Sequence, residues 1–323
     1  MDKSKSIITK ILIVVLVILL CVTTYFIVTK QLEKNTQSTP VQLEEQAEEV
    51  TNEPLYALEE FPKIDGSTAT QPLIKAYMKN FTGREDINFD AYPFSKTHQA
   101  YEKLIQDQVD IILVTSPSEE ELALAKSKGV ELEVIPVVRE GFVFYVNTDN
   151  PVTNLSAEQI QNIYSGKITN WKDVGGEDTT ITPYQRPVNS GSQTGMLDLV
   201  MKDKPLMAAP KENLAETMAQ IVNLVSSFDN GKDAIGYSYY YYATTMYQTI
   251  DAEVAGRIKL LGIDGIQPTV ETIKNGTYPF TTSYYMVINK ADGEDSTARK
   301  LANQMLSTRG QQVALQAGYV PVK

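Results

Sequence analysis

From Tyr56 to the C-terminus, short apolar runs alternate with amphipathic ones, and this alternation limits the fold more than any other feature of the chain. Val109-Asp110-Ile111-Ile112-Leu113-Val114 suits a buried strand, and Glu119 to Lys128 carries a helix pattern ended by Gly129. Leu132 to Val138 and Phe142 to Val146 read as two strands, and Ser156-Ala157-Glu158-Gln159-Ile160 opens a helix on a serine cap. Ala234-Ile235-Gly236-Tyr237 and Met286-Val287-Ile288 read as further strands, and a terminal helix covers Ser296 to Leu306. Such alternation predicts an α/β protein with mostly parallel sheets. No internal repeat is visible.

Two polar turns stand out within this pattern. Asp65-Gly66-Ser67-Thr68-Ala69-Thr70 precedes Pro72 and the helix-like run Leu73 to Met78. Arg186-Pro187-Val188-Asn189-Ser190-Gly191-Ser192-Gln193-Thr194 precedes the helix-like run Met196 to Met201. A helix N-terminus has backbone N–H groups without partners and a partial positive charge, and small residues let an oxyanion approach them. An arginine adds paired N–H donors. Each turn taken alone reads first as an ordinary helix cap, since Ser and Thr open many helices; taken together they suggest a cleft that closes on a small oxyanion.

A chain of 323 residues forms one large domain or two of ordinary size, and 42% hydrophobic residues suffice for a substantial core. A net charge of −11 argues against a nucleic-acid partner, because no basic surface replaces the phosphate counterions. It leaves a small anionic ligand open, since local amides and one arginine decide that question. The single Cys21 excludes an internal disulfide and a Cys-rich metal site, and the single His98 argues against His-dependent catalysis. No metal and no cofactor are expected.

Lys3, Lys5 and Lys10 precede an apolar run from Ile11 to Val28. As a helix that run spans about 27 Å, close to a bilayer core of about 30 Å. The flanking lysines predict that the N-terminus stays in the cytoplasm and the remainder lies outside. The rivals are a cleaved signal peptide, for which Val22-Thr23-Thr24-Tyr25-Phe26 offers no small-residue site, and lipidation at Cys21. Ile18-Leu19-Leu20-Cys21 resembles a lipoprotein cleavage box, with Leu20 the misfit. The favoured reading is an uncleaved anchor over residues 1–30. Residues 31–54 are polar and acidic, with Glu33, Glu44, Glu45, Glu48, Glu49 and Glu53 against Lys34, and read as an extended tether; Val41 to Val50 has a helical alternative.

Phe142-Val143-Phe144-Tyr145-Val146-Asn147, then Asn150-Pro151-Val152, then Ile163-Tyr164-Ser165-Gly166-Lys167-Ile168-Thr169-Asn170-Trp171 resemble PstS-type phosphate-binding proteins, the extracytoplasmic receptors of bacterial ABC phosphate importers. The likeness runs from about Phe61 to Val322 and takes in Arg186 to Gln193, Asp264 to Thr269, Gly276-Thr277-Tyr278-Pro279 and Gly318-Tyr319-Val320-Pro321. It implies a type II periplasmic-binding-protein fold, with two α/β lobes joined by two crossing strands. One lobe would hold residues 55–139 and 245–323, the other residues 140–244. The crossings would fall near Arg139-Glu140-Gly141 and in Tyr239 to Tyr247, whose tyrosines read as packing rather than as a ligand box.

By the same resemblance, Ser67, Thr68, Ala69 and Thr70 bind phosphate from the first turn, and Arg186, Ser190, Gly191, Ser192 and Gln193 from the second. Ser95 or Thr97 donates from Phe94-Ser95-Lys96-Thr97-His98, ahead of a helix Gln99 to Ile105; His98 reads equally as an exposed first-turn residue. The family places a carboxylate after its second strand to accept the proton of hydrogen phosphate. Here Val114-Thr115-Ser116-Pro117 puts Thr115 there, which weakens discrimination between phosphate and a fully ionised anion such as sulfate.

The resemblance thus implies a non-enzymatic, monomeric receptor for inorganic phosphate or a similar oxyanion, tethered outside the cell membrane and delivering to ABC permease subunits. The alternative is a membrane-anchored oxyanion sensor or surface interaction protein of the same fold. A hydrolase built on Ser190 or Ser192 lacks the G-x-S-x-G pattern and would need His98. Arg186→Ala is expected at this stage to weaken ligand binding at least tenfold with little effect on the ligand-free protein.

Overall fold

The computed structural model describes residues 53–229 and 231–322. The expected anchor over 1–30, Cys21, and all but the end of the expected tether over 31–54 lie outside the described residues. Among the described residues no helix is long and apolar enough to cross a membrane.

In chain order the strands are β1 (Ile64–Gly66), β2 (Ile111–Val114), β3 (Leu132–Asn147), β4 (Asn154–Leu155), β5 (Thr182–Pro183), β6 (Ala234–Tyr239), β7 (Ile258–Leu260), β8 (Gly262–Ile263), β9 (Thr281–Asn289) and β10 (Val320–Pro321). The main sheet has the order β1-β2-β9-β3-β6-β5, with β7 and β10 also paired to β3, and β4 and β8 form a separate parallel pair. Helices fill the connections, so the α/β class expected from the alternation is observed.

The expectation of mostly parallel sheets is wrong. β1–β2 and β5–β6 are parallel, but β3 runs antiparallel to β6, β7, β9 and β10, and β2 antiparallel to β9. An apolar run buried on both faces looks the same whichever way its neighbour points, so the alternation reports layers and not strand direction. β2 shows this burial directly. Its Ile111 and Leu113 join the main core, while Ile112 and Val114 join a second cluster with Tyr101, Leu104 and Val287.

The two expected strands at 132–138 and 142–146 are one strand. β3 runs unbroken through Arg139-Glu140-Gly141, bulging between Pro136 and Val138, where a residue without an N–H is tolerated. Its first part, to Gly141, pairs with β9, and its last part, from Phe142, pairs with β6. Glu140 sits at this change of partner, 2% exposed, with Oε1 accepting from the Gly141 N–H at 2.8 Å and the Tyr241 N–H at 3.2 Å. Burial pushes its carboxyl up to about 8, against the opposing pull of those two N–H groups.

The helices follow their local signals. Gln71–Thr82 has Pro72 in its first turn, buries Leu73, Ile74, Tyr77, Met78 and Phe81 along one face, and stops at Gly83, whose φ of 66° suits glycine. Each of those apolar side chains contributes about 1.5–3 kcal/mol through burial. Glu119–Ser127 starts on a capping box formed by Ser118 and Glu121. The C-terminal region holds two helices, Thr297–Leu306 and Thr308–Gln316, where one was read, because Ser307 caps the second.

Candidate functional site

The two polar turns come from opposite ends of the sheet and meet at one cavity. The first leaves β1 and the second follows β5, with β3 between them in the sheet order. The cavity measures about 500 Å³, and its wall includes Ser67, Thr68, Ala69, Thr97, Thr115, Arg186, Ser190, Gly191 and Ser192. Nine of the expected binding residues therefore share a single space.

The first turn is built by close packing of β1 on β2. A Cβ on Gly66 would lie 2.5 Å from the Leu113 carbonyl oxygen, so glycine is required there. The Ser67 N–H donates to that same carbonyl at 2.9 Å, and a helical run starting at Thr68 leads into Gln71–Thr82. Its first N–H groups have no acceptor within the helix. A second helix start, Thr97–Ile105, brings Thr97 to the cavity, 7% exposed.

The arginine segment is held from below by tyrosines. Tyr237 contacts both the Arg186 N–H and Gln193 Oε1, and the Tyr239 hydroxyl donates to the Gly191 carbonyl at 2.9 Å. Ser190 caps the short helix Gly191–Gly195 through its hydroxyl, which accepts from the Gln193 N–H at 3.2 Å. Arg186 is 8% exposed. Its Nε donates to the Ala215 carbonyl at 2.8 Å, Nη2 to the Glu216 carbonyl at 3.0 Å, and Nη1 to the Ser192 hydroxyl at 3.2 Å. All three partners are neutral, and of five N–H donors two remain for another group. Burial pulls the guanidinium below its usual range, an effect that the surrounding tyrosines and the exposed Glu216 carboxylate offset only in part.

Three expected ligands do not line the cavity. The Thr70 hydroxyl donates to the Leu113 carbonyl at 2.6 Å and pins the turn to β2. Ser95 turns to the buried Asp65, which accepts from its N–H at 2.7 Å and from its hydroxyl, and which also holds Lys103 Nζ at 2.7 Å. Gln193 is consumed by Tyr237 and by the Arg186 N–H at 3.1 Å. Each saturates a buried polar group nearby, which competes with reaching into the cavity.

Thr115 differs from these. Its Oγ1 is buried at the cavity wall without a well-formed hydrogen bond: the Tyr239 hydroxyl beside it gives its proton to Gly191 and leaves Thr115 only a weak contact. An unpaired buried hydroxyl costs about 1–3 kcal/mol, which a bound group would recover.

Lys96, His98, Glu216, Met218, Tyr239, Tyr242 and Tyr284 also line the cavity, and all but His98 escaped the sequence reading. Tyr239 and Tyr242 were read as packing and Tyr284 was not singled out; Tyr239 and Tyr284 do pack, with ring centroids 5.2 Å apart. Nothing in a run of aromatic residues distinguishes the ring that packs from the one that also faces a cavity. Burial pushes the Tyr242 hydroxyl up to about 12. His98 is not the exposed residue of the bland reading: its Nδ1 lies 3.2 Å from Oε1 of the buried Glu121. Among the described residues no group of three or more His, Cys, Asp or Glu could hold a metal ion.

The PBP superfamily domain profile matches residues 44–309. The chain belongs to the PBP superfamily. Among curated relatives, this PBP-superfamily chain is 27% identical over 263 residues to the phosphate-binding protein PstS of Bacillus subtilis (strain 168), covering 80% of each chain. It is 28% identical over 239 residues to the phosphate-binding protein PstS of Staphylococcus saprophyticus, covering 72% of each. Among solved structures, a candidate phosphate ABC transporter substrate-binding protein with bound phosphate from Clostridium perfringens superposes with a TM-score of 0.63 at 23% identity, over 80% of this chain and 98% of that one. The periplasmic-binding-protein fold expected from the sequence is the fold of this PBP-superfamily chain.

Proposed function

We propose that this chain is an extracytoplasmic receptor that captures inorganic phosphate and delivers it to an ABC permease. The observation that carries this reading is Arg186, a buried guanidinium hydrogen-bonded only to neutral groups, facing a cavity walled by hydroxyls and three helix starts. A dianion there supplies a directly hydrogen-bonded counter-charge, and low local dielectric strengthens each donor. The names of the PstS relatives support the choice of ligand. Ser67, Thr68, Ala69, Thr97, Thr115, Arg186, Ser190, Gly191 and Ser192 are the residues assigned to it.

In this reading residues 55–139 with 245–323 form one lobe and residues 140–244 the other, hinged where β3 changes partner at Gly141 and where the chain passes Tyr239 to Tyr247. Ligand favours the closed arrangement by its differential affinity, and the closed form docks on the permease. The apolar run Ile11 to Val28 anchors a monomer to the membrane, with the acidic tether as spacer. No chemistry on the ligand is invoked.

Calorimetric titration of residues 50–323, a compact unit in the fold, with phosphate gives the direct test. Saturable heat with a matching rise in melting temperature is expected; no heat at millimolar phosphate rejects the reading. Gly191 offers a steric test of closure. A Cβ there would lie 2.5 Å from Thr115 Oγ1 and 2.8 Å from Thr97 Oγ1, both across the cavity. Gly191→Ala is expected to hold the walls apart and weaken phosphate binding at least tenfold, whereas an unchanged affinity would show that these walls need not meet.

The weakly engaged Thr115 hydroxyl favours a second reading within the first, a site with relaxed choice among tetrahedral oxyanions, as a sensor would tolerate. Among the lining residues the one carboxylate is Glu216, exposed at the rim, so the buried wall has donors in excess of acceptors. Sulfate is expected to compete with phosphate within about a hundredfold, the scale of one misplaced buried donor. Thr115→Asp is expected to widen that ratio at least tenfold, and equal ratios in the two proteins would remove Thr115 from the selectivity argument.

A further inference from the structure

The arginine loop, whose Asn189 is part of the cavity wall, makes a hydrogen bond to the opposite side of the cleft. Asn189 Nδ2 donates to Oε2 of Glu120, in the first turn of the helix Glu119–Ser127 that follows β2. Asn189 comes from the β5 end of the sheet and Glu120 from the β2 end, with β3 between. Asn189 holds a left-handed backbone with φ 68°, a conformation asparagine accepts more readily than most residues. Val188 beside it is 76% exposed, so apolar burial does not hold the loop tip in place.

We propose that Asn189 and Glu120 form a clasp that sets how long the cavity stays shut, and hence the residence time of the ligand. The pair act as positioning residues: their amide–carboxylate bond joins the two walls, and the Asn189 amide, engaged by Glu120, is not counted among the anion's ligands. The ligand arm of this inference rests on the phosphate-capture reading. The clasp is made after ligand enters and broken before it leaves, so it acts on dissociation and not on encounter.

The test is release of radiolabelled inorganic phosphate from the purified full chain during a cold chase, with association measured separately. Asn189→Ala and Glu120→Ala are each expected to speed release about three- to tenfold, with association within twofold of the unmodified protein. The double variant is expected to release no faster than either single one, and Glu120→Gln, whose amide oxygen still accepts, to stay near the unmodified rate. Unchanged release in the single variants, or effects that multiply in the double, would overturn the clasp. If the unmodified chain binds no phosphate, the capture reading fails, and hydrogen exchange of the ligand-free protein judges the clasp by itself. Amides 190–194 are then expected to exchange faster in both single variants, equally so in the double, at an unchanged melting temperature; unaltered exchange overturns it.

Discussion

Arg186→Ala is expected to lower phosphate affinity by two orders of magnitude or more and to destabilise the ligand-free protein as well. Two free N–H groups on a buried cation make charge-assisted hydrogen bonds of about 1.5–3 kcal/mol each, so losing both costs about 3–6 kcal/mol of binding. The same guanidinium satisfies the Ala215 and Glu216 carbonyls and the Ser192 hydroxyl. Leaving buried acceptors unpaired costs about 1–3 kcal/mol apiece, partly offset by release of a desolvated charge. The sequence-based expectation of an unperturbed ligand-free protein is therefore revised. Calorimetry with phosphate and urea unfolding without it measure the two effects separately. Arg186→Lys is expected to recover little of either, since a point charge cannot reach two carbonyls and an anion at once. Affinity kept within threefold in Arg186→Ala would take the arginine out of the site.

The second large effect concerns stability against pH. Glu140 titrates near 4.5 as a free side chain and at about 8 in the fold. Between those values the folded state keeps a proton that the unfolded state has lost. Stability must then fall as pH rises through that window, at about 1.4 kcal/mol per unit, and level off above about 8. The groups facing the carboxyl are the Gly141, Tyr240 and Tyr241 N–H groups and the side chains of Tyr239, Tyr240, Tyr241, Tyr284 and Tyr319, with no cation among them. Glu140→Gln keeps an acceptor for these N–H groups and removes the titration. It is expected to match the native protein near pH 5 and to exceed it by several kcal/mol at pH 8. Urea unfolding at pH 5, 6.5 and 8 measures the gap, and parallel profiles for the two proteins would show that Glu140 carries no such penalty.

Much of the site was legible because its parts are local. Gly66-Ser67-Thr68-Ala69 and Ser190-Gly191-Ser192 mark helix starts by residue type, and Arg186 is the cation beside one of them. Thr70 and Gln193 carry the same kinds of polar atom within those turns, and Ser95 within the turn before Thr97, yet they bond inward to Leu113, Tyr237 and Asp65 respectively. Residue type states what a side chain can bond, whereas only the surrounding packing states which partner it meets first. Lys96 and Met218 at the cavity wall had no such local mark.

The alternation of apolar and amphipathic runs determined the layered α/β class, and capping residues determined where helices such as Glu119–Ser127 begin. Those properties depend on neighbours within a few positions, which the order of residues specifies. Strand direction, the unbroken passage of β3 through Glu140, and the meeting of Gly191 with Thr115 were decided by tertiary structure alone. Each joins segments tens of residues apart, and which of many chemically similar segments pair is settled by the packing of the whole core.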